Sequence, residues 1–574
     1  MKYILMLFIS FASEAQTIYV QASRVETDID TVTSSTESID MRNDISSDLS
    51  SSPGVFISEQ SAYGSASSLK LRGTQRGFSK IMLDDIELSD ATDINRSFQL
   101  NLINNLYIDS ALILKGPQST HYGSDTIGGV VKLRTDTKKK KSYGLRVSQG
   151  SNQYGSLNFN FSKKKKDTSW RILTSYEDTK GISSHSGGLE RDFYQNFNFY
   201  GVVEQRINSS TKLKYSGLTI KSRQDIDDFG NERVAFDLLK YNQQTHQVKL
   251  NKRLMSDRLK TSVMMRRTDI FRKSQGKYPS EQNGGSEQVE VYGLYYLNEM
   301  ITPSVLINYN KENLTNISDF TNISNRSLES YSFSGNVDLK YGNFSSQLGA
   351  LYLGHSAFSD LDSSKVGLAY RINSNFRLIT NWSRNFILPT VYQVYFSSED
   401  SLLEATLGET LDFGFIATYR KYKFSVTFFD NQFKNQIDYD SSDNRYSNIK
   451  ESEVRGLEGL VEYKSKRLYA NVSTSLLRST DKSTGKYLGK SPRFISSTTL
   501  RYSINDQLQV ENSWRYVGER NDSGRMPSYL VGDLHLNFSF FKFSIKNILD
   551  KEYENTRTYN TLGRNYLASM TYEL

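Results

Sequence analysis

Residues 115–133 read KGPQSTHYGSDTIGGVVKL, and four glycines punctuate this stretch. Glycine permits tight turns and a close approach of the backbone, because it has no Cβ atom. Pro117 fixes φ at the first turn and has no N–H group to donate. Val130, Val131 and Leu133 follow the double glycine and have the composition of a β-strand. The stretch therefore predicts a compact unit of two turns that leads directly into a strand.

The order of these residues closely resembles the motif that closes the plug domain of TonB-dependent outer-membrane receptors, and it is most similar to the cobalamin-receptor branch. Earlier segments keep the order of the family plug, with Pro53-Gly54-Val55 first and Leu83-Asp84-Asp85 later. The resemblance implies a plug domain at about residues 41–137 inside a barrel formed by residues 138–574. The residues that it assigns to the structural motif of the plug are Arg72, Gly73, Gly116, Pro117, Tyr122, Gly123, Gly128 and Gly129.

The composition of the 574-residue chain excludes several classes of function. Cysteine is absent, which rules out thiol catalysis, cysteine-ligated zinc and disulfide bonds. The net charge of +8 is a small excess for this length, and it does not call for a nucleic-acid partner. The chain has 37 Tyr and 31 Phe but only 7 Pro. This abundance of aromatic residues is typical of the girdles at the two membrane interfaces of a transmembrane β-barrel.

Residues 1–15 have the features of a secretory signal peptide. Lys2 supplies the positive charge, Tyr3–Ala12 form the apolar segment, and small residues at 13 and 15 place cleavage after Ala15. The alternative is a buried N-terminal helix. No other uninterrupted apolar run approaches eighteen residues, so we expect no membrane-spanning helix.

A short β-prone segment and a polar tether occupy residues 16–40. A mobile strand on such a tether suits β-augmentation, in which main-chain hydrogen bonds add it to the edge of a partner's sheet. The segment resembles a TonB box, which implies TonB and its inner-membrane, proton-driven motor complex as partners. Taken alone, such a segment is more often an ordinary first strand, but its position just ahead of a plug-like domain favours the TonB box. The residues of the candidate TonB box are Thr17, Ile18, Tyr19, Val20, Gln21 and Ala22.

The remainder of the chain alternates apolar and polar residues in segment after segment. Tyr422/Phe424/Val426 and Leu534/Leu536/Phe538 are two examples of this period of two. A soluble β-sandwich would not continue the pattern so far without a domain break. Residues 138–574 provide about 20 residues for each of 22 strands with its connection, which fits the plugged class of outer-membrane transporter. We therefore predict an all-β transmembrane barrel of about 22 antiparallel strands around an N-terminal α+β plug.

No catalytic constellation is evident. His121 has no nucleophile spaced for it, and Ser124 lacks the G-x-S-x-G context. The chain is accordingly predicted to be no enzyme and to bind no cofactor for chemistry. The resemblance implies TonB-dependent import across the outer membrane of a Gram-negative bacterium, with cobalamin or a related corrinoid as the first choice of ligand. The alternatives are a ferric-siderophore or haem receptor and, in a different class, a passive porin or adhesin. Outer-membrane lipid is an expected partner, and a periplasmic binding protein is a candidate one.

Two polar loops of the plug correspond in order to the apices that face the substrate in cobalamin receptors. Small residues in the first loop permit close approach to a large, rigid ligand, and Tyr63 offers a flat amphipathic surface. Arg96 is the only arginine in these loops, which favours a roughly neutral ligand over an anionic ferric chelate. The candidate ligand-binding residues are Gln60, Ser61, Ala62, Tyr63, Ser65, Asp90, Thr92 and Asp93.

Acidic residues on two later segments are candidates for a calcium site, because calcium takes six to eight oxygen ligands. Residues 220–241 resemble the extracellular loop region that helps to bind calcium in cobalamin receptors. The alternative is a solvated acidic loop. The candidate ligands are Glu190, Asp192, Asp225, Asp227, Asp228 and Asp237.

Overall fold

A computed structural model describes residues 36–104, 108–135, 141–188, 190–226, 237–396, 403–440 and 442–573. The candidate signal peptide, the candidate TonB box, Asp227 and Asp228 lie outside the described residues. In the part of the chain that is described, no helix is both long and apolar enough to cross a membrane.

The N-terminal plug is a small mixed sheet with an added hairpin. Its five-stranded sheet has the order β1-β6-β7-β4-β5, in which β4 and β7 are parallel and the other pairs antiparallel, while β2 and β3 form a separate antiparallel pair. The strands of the plug are β1 (Thr36–Asp40), β2 (Val55–Glu59), β3 (Ser67–Leu71), β4 (Ser79–Leu83), β5 (Ile86–Leu88), β6 (Ser110–Lys115) and β7 (Gly129–Arg134). The helices are α1 (Ile45–Leu49), α2 (Ser119–Tyr122) and a 3₁₀ turn at Leu100–Leu102.

The rest of the described chain closes into one barrel of 22 strands, each antiparallel to its neighbours, and β31 pairs with β8 to complete the ring. The predicted fold class is therefore confirmed. The barrel strands in chain order are β8 (Lys141–Gly150), β9 (Tyr154–Lys165), β10 (Thr168–Thr179), β11 (Tyr194–Arg206), β12 (Thr211–Ile226), β13 (Asp237–Leu254), β14 (Leu259–Gln275), β15 (Ser280–Tyr295), β16 (Ile301–Ser318), β17 (Asn322–Tyr341), β18 (Phe344–His355), β19 (Leu361–Arg371), β20 (Phe376–Ile387), β21 (Thr406–Tyr419), β22 (Tyr422–Asp440), β23 (Arg445–Lys464), β24 (Leu468–Asp481), β25 (Phe494–Ser503), β26 (Leu508–Val517), β29 (Tyr529–Phe538), β30 (Phe541–Lys546) and β31 (Asn565–Glu573).

Three smaller elements lie in the connections of the barrel. A 3₁₀ turn at Ser151–Gln153 joins β8 to β9, and a two-stranded hairpin of β27 (Arg520–Asn521) and β28 (Arg525–Met526) lies between β26 and β29. The helix α3 (Val391–Tyr395) follows β20. Its N-terminus is fixed by a capping box, in which the Thr390 side chain accepts from the Gln393 N–H and the Gln393 side chain accepts from the Thr390 N–H.

The two ends of the barrel differ in the length of their connections. At one end the turns have two to five residues, as between β9 and β10 or β17 and β18. At the other end they reach 18 residues, as between β30 and β31. In transmembrane barrels the short turns face the periplasm and the long loops face the exterior. Along each strand the exposed apolar side chains alternate with buried, largely polar ones that face the plug, which is the reason for the period of two in the sequence.

Two apolar clusters join the plug to the wall. One extends from the plug core to β10–β14 and includes Leu173 and Ile220 of the wall. The other packs Phe56, Phe78 and Ile127 of the plug against β22–β29. The plug is therefore held by hydrophobic contact on two separate sides of the lumen.

Candidate functional site

The glycine-rich stretch folds as a turn, a short helix and a strand. Gly116, Gly123 and Gly129 have φ of +75°, +77° and +137°, a region that side chains with a Cβ rarely adopt. A Cβ on Gly129 would lie 2.1 Å from the carbonyl oxygen of Leu114 on the paired strand β6. The strand β7 begins at Gly129, one residue before the start that was predicted after the double glycine.

Arg72 of the plug forms ion pairs with two strands of the wall. Its Nη1 lies 2.9 Å from Asp412 Oδ1 on β21, and its Nε lies 3.1 Å from Glu458 Oε1 on β23. Lys115 Nζ lies 3.7 Å from Glu458 Oε2 and 3.0 Å from Glu37 Oε1 on β1. These side chains lie deep in the lumen, so the motif residues Arg72 and Lys115 connect the first plug strand, the glycine-rich stretch and the barrel.

The first candidate apex, Gln60–Ser67, lies at the long-loop end of the barrel. The Tyr63 ring stacks on that of Tyr154, the first residue of β9, with 5.0 Å between centroids. The loop is closed by its own hydrogen bonds, in which Gln60 N–H donates to Ala66 and Ser61 N–H donates to Ser65 Oγ, each at 2.9 Å. Gln60, Ala62, Tyr63 and Ser65 are half-buried, whereas Ser61 is buried.

The second candidate apex, Asp90–Ser97, lies at the same end, beside the connection between β20 and β21. Arg96 donates to the carbonyl oxygens of Leu388 and Pro389 at 2.9 and 2.7 Å. Asp90 is buried, and its Oδ1 accepts from the Thr92 N–H at 2.9 Å. Thr92 and Asp93 are also buried, so these three candidate residues engage their own loop and the plug or wall around it.

Each charged side chain of the second apex has an oppositely charged partner. Asp90 pairs with Arg272 of β14, Asp93 with Arg76 of the plug, and Arg96 with both Glu312 of β16 and Asp125 of the plug. Burial raises the pKa of Asp90, although Arg272 opposes this effect. The apex is thus neutralised within the protein.

An aromatic cluster that was not predicted from the sequence lies next to the second apex. Tyr392 and Phe396 come from the α3 segment, and Tyr439 and Tyr446 come from the ends of β22 and β23. The Phe396 ring lies 5.5, 5.7 and 5.3 Å from those of Tyr392, Tyr439 and Tyr446, mostly edge to face. Tyr439 is exposed and the other three are half-buried. We call these four residues the aromatic rim.

Hydrogen bonds fix the aromatic rim to the apex. Thr390 Oγ donates to the carbonyl oxygen of Ile94 at 2.9 Å, and Gln393 Nε2 donates to Asn95 Oδ1 at 3.2 Å. The T-x-x-Q capping box was a readable signal for α3, but nothing in the sequence places that helix beside a plug loop nearly 300 residues earlier.

The candidate calcium ligands are partly brought together. Asp192 Oδ2 accepts from the Ser184 N–H at 2.6 Å, while its buried Oδ1 has no hydrogen-bond partner within the described residues. Asp225 Oδ2 accepts a hydrogen bond at 3.4 Å from the N–H of Phe193, the residue that follows Asp192. Glu190 accepts a hydrogen bond from Ser183 Oγ at 2.7 Å. Among the residues that the structure describes, no group of three or more His, Cys, Asp or Glu could hold a metal ion. Asp227 and Asp228 lie outside that part of the chain.

Sequence comparison finds two family models in this chain. The model of the TonB-dependent receptor plug domain matches residues 23–130, and that of the TonB-dependent receptor-like β-barrel matches residues 90–548. The chain is 22% identical over 559 residues to the vitamin B12 transporter BtuB of Vibrio vulnificus, with 91% of this chain and 88% of the relative covered. It is 21% identical over 553 residues to BtuB of Vibrio cholerae, with the same coverage.

Solved structures share the fold. The siderophore receptor PirA from Acinetobacter baumannii superposes with a TM-score of 0.81 at 16% identity, covering 97% of this chain and 100% of that one. The FrpB iron transporter from Neisseria meningitidis also superposes with a TM-score of 0.81, at 13% identity, covering 95% of this chain and 100% of that one. This family is one of transporters and receptors rather than enzymes. With a closed 22-strand barrel, a plug inside it and both family models matched, the chain belongs to the TonB-dependent receptors of the Gram-negative outer membrane.

Proposed function

We propose that this receptor imports cobalamin or a related corrinoid across the outer membrane. The observation that carries the proposal is the neutral floor beneath the long loops, where Asp90, Asp93 and Arg96 are all paired and the first apex has no charged residue. Such a floor suits a large ligand without net charge, since an anionic chelate would favour free arginines. The aromatic rim adds flat surface on which a planar ring system can stack. Relatives named as vitamin B12 transporters, matched along most of the chain, support the same ligand.

A ferric siderophore is the second candidate. The guanidinium of Arg326 lies 5.1 Å from the ring centre of Tyr395, beside the aromatic rim. A cation next to aromatic rings would attract an anionic catecholate or haem propionate. The solved structures that share this fold include siderophore and iron receptors, but at such low identity they support the fold alone.

Import requires energy, because the plug fills the lumen. We infer that Thr17–Ala22 pairs as a strand with TonB and that force on this segment moves the plug. Arg72 and Lys115 would transmit that force, since they join β1 to the wall through Glu37 and Glu458.

Binding to the purified receptor tests the ligand. We expect cyanocobalamin to bind in calorimetry, and a ferric catecholate to bind far more weakly. Tyr439→Ala should weaken cyanocobalamin binding by about tenfold, because it removes an exposed ring of the aromatic rim. Tyr422→Ala, an exposed tyrosine at the short-turn end, is the matched control and should bind normally. Binding of the ferric chelate without cyanocobalamin would move the protein to the second candidate.

A calcium site in the long loops is a subsidiary proposal, supported by the Oδ1 of Asp192, which has no hydrogen-bond partner among the described residues and lies close to Asp225. Calcium in the millimolar range should then tighten cyanocobalamin binding by ordering the loops, and Asp192→Asn should remove that effect. Equal affinity in calcium and in chelator would identify a solvated acidic loop instead.

A further inference from the structure

The contacts between plug and barrel differ in chemical character around the lumen: they are apolar on two sides and polar on a third. The two apolar clusters that join the plug to the wall draw their wall residues from β10–β14 and from β22–β29. On β17–β19, by contrast, the apolar clusters of the described wall contain no plug residue. The plug is therefore bonded to this third side by polar contacts.

The glycine-rich stretch faces this third side. Ser334 Oγ and Asn336 Nδ2 of β17 donate to the carbonyl oxygen of Thr120 in α2, at 2.8 and 2.9 Å. Ser119 Oγ lies 2.6 Å from Ser363 Oγ of β19. We call this contact, between α2 and β17–β19, the polar seam.

A small cavity lies at the edge of the polar seam, between the plug and β13–β15. It has a volume of about 20 Å³, enough for one water molecule, and charged and amide groups line much of it. Gln247 points both of its amide atoms into buried space without a hydrogen-bond partner among the described residues. On the plug side, Met82 and Tyr122 line the cavity, and both belong to an apolar cluster formed by plug residues alone. Glu87 of the plug also pairs with Arg266 of β14 at this cavity, so the plug meets this wall through polar and ionic contacts.

Polar and apolar contacts differ in the free energy that is needed to separate them. Water replaces the hydrogen bonds of hydroxyl and amide groups, so opening a polar contact has a small net cost. Separating packed apolar surface exposes it to water without any such replacement. The plug should therefore part first from β17–β19, while the two apolar clusters, the Arg72 ion pairs and the Arg96–Glu312 ion pair to β16 hold it elsewhere.

We propose that the imported ligand passes the plug along the polar seam, on the β17–β19 side of the lumen, with α2 and its flanking glycines as the part that moves. This proposal rests on the proposed import function. It assigns a route to a ligand that enters beneath the aromatic rim, because β20 leads directly into α3 and the rim, while Ser363 of β19 and Asn385 of β20 bond to Ser119 of α2 further down the wall.

A ligand-independent test uses the absence of cysteine from this chain. Ser334→Cys and Ser497→Cys are matched variants, since each serine is buried on the wall and donates to a plug carbonyl at 2.8 Å, from Thr120 and from Ser50 respectively. In purified receptor below the urea concentration of global unfolding, we expect a thiol reagent to label Ser334→Cys at least tenfold faster. Equal labelling, or faster labelling of Ser497→Cys, would overturn the proposal.

A disulfide staple tests the route during import. Ser119→Cys with Ser363→Cys crosses the polar seam, and Ser58→Cys with Thr556→Cys, whose hydroxyl oxygens lie 3.4 Å apart, ties the plug to the β30–β31 connection elsewhere. Oxidation should stop uptake of labelled cyanocobalamin in the first pair, with recovery on reduction, and should leave the second pair active. Uptake through the oxidised first pair, or a block in both pairs, would contradict the route. If the reduced proteins take up no cyanocobalamin, that result would count against the import function. The labelling experiment would still show whether the plug separates first at the polar seam.

Discussion

Arg72 is buried beside two carboxylates whose negative charges it compensates. Its guanidinium contacts Asp412 and Glu458 and lies 4.6 Å from the ring centre of Phe429. Removal of one partner from a buried ion pair is costly, because the other charge stays buried without compensation. The side chain therefore matters more for seating the plug than an exposed ion pair would.

Arg72→Ala should destabilise the seated plug by about 3–5 kcal/mol, since two carboxylates lose their main partner. The measurement is the urea midpoint for exposure of the plug to protease in purified receptor. Arg267→Ala is the control, because Arg267 forms exposed pairs on the outer face and should shift the midpoint little. Equal midpoints for Arg72→Ala and the unsubstituted protein would refute this role.

Glu87 makes the seating of the plug sensitive to acid. Burial alone would raise its pKa, but the ammonium of Lys80 and the guanidinium of Arg266 lower the Glu87 pKa from 4.5 to about 2. A carboxyl group with a lowered pKa stabilises the folded state above its unfolded pKa, and the stabilisation is lost as the pH falls toward the folded value.

We therefore expect the plug to loosen between about pH 4.5 and pH 2, and Glu87→Gln to flatten that part of the profile. The urea midpoint of plug exposure, measured at each pH, reports the effect. A Glu87→Gln profile that falls as steeply as that of the unsubstituted protein would argue against these ion pairs as the cause.

Individual strands and turns were easier to predict from the sequence than the contacts between distant elements. The start of β7 was predicted to within one residue, because a double glycine followed by a β-branched run is a local signal for a turn and a strand. The aromatic rim was not predicted, because it joins α3 to the ends of β22 and β23, and both to a plug loop. Contacts between such distant segments have no local signature in one sequence.

The candidate TonB box is the element on which coupling depends. Val20→Pro should abolish uptake and leave ligand binding to cells near normal, because proline removes an N–H from the extended pairing. Ser34→Pro, in the tether, is the control and should transport normally. Unchanged uptake by correctly inserted Val20→Pro receptor would remove Thr17–Ala22 from the coupling role.

For the molecule as a whole, the period of two and the plug motif were sufficient to predict a plugged 22-strand barrel. Alternation reports which face of a strand meets lipid, and it needs no knowledge of distant contacts. The ligand is harder to predict, since charge at the plug apices depends on partners such as Arg272 and Glu312, which come from the barrel. From the sequence, Asp90 and Asp93 are candidate ligand-binding residues, and in the fold each is paired with an arginine.

Uptake of labelled cyanocobalamin by cells is the most direct test of the proposed TonB-dependent import. The host is a Gram-negative strain that lacks its own cobalamin receptor and carries a compatible TonB. We expect this receptor to accumulate the label only when TonB is present and the inner membrane is energised, with no accumulation by the Val20→Pro variant. Accumulation that persists without TonB, or rescue by a ferric siderophore and not by cobalamin, would contradict the account.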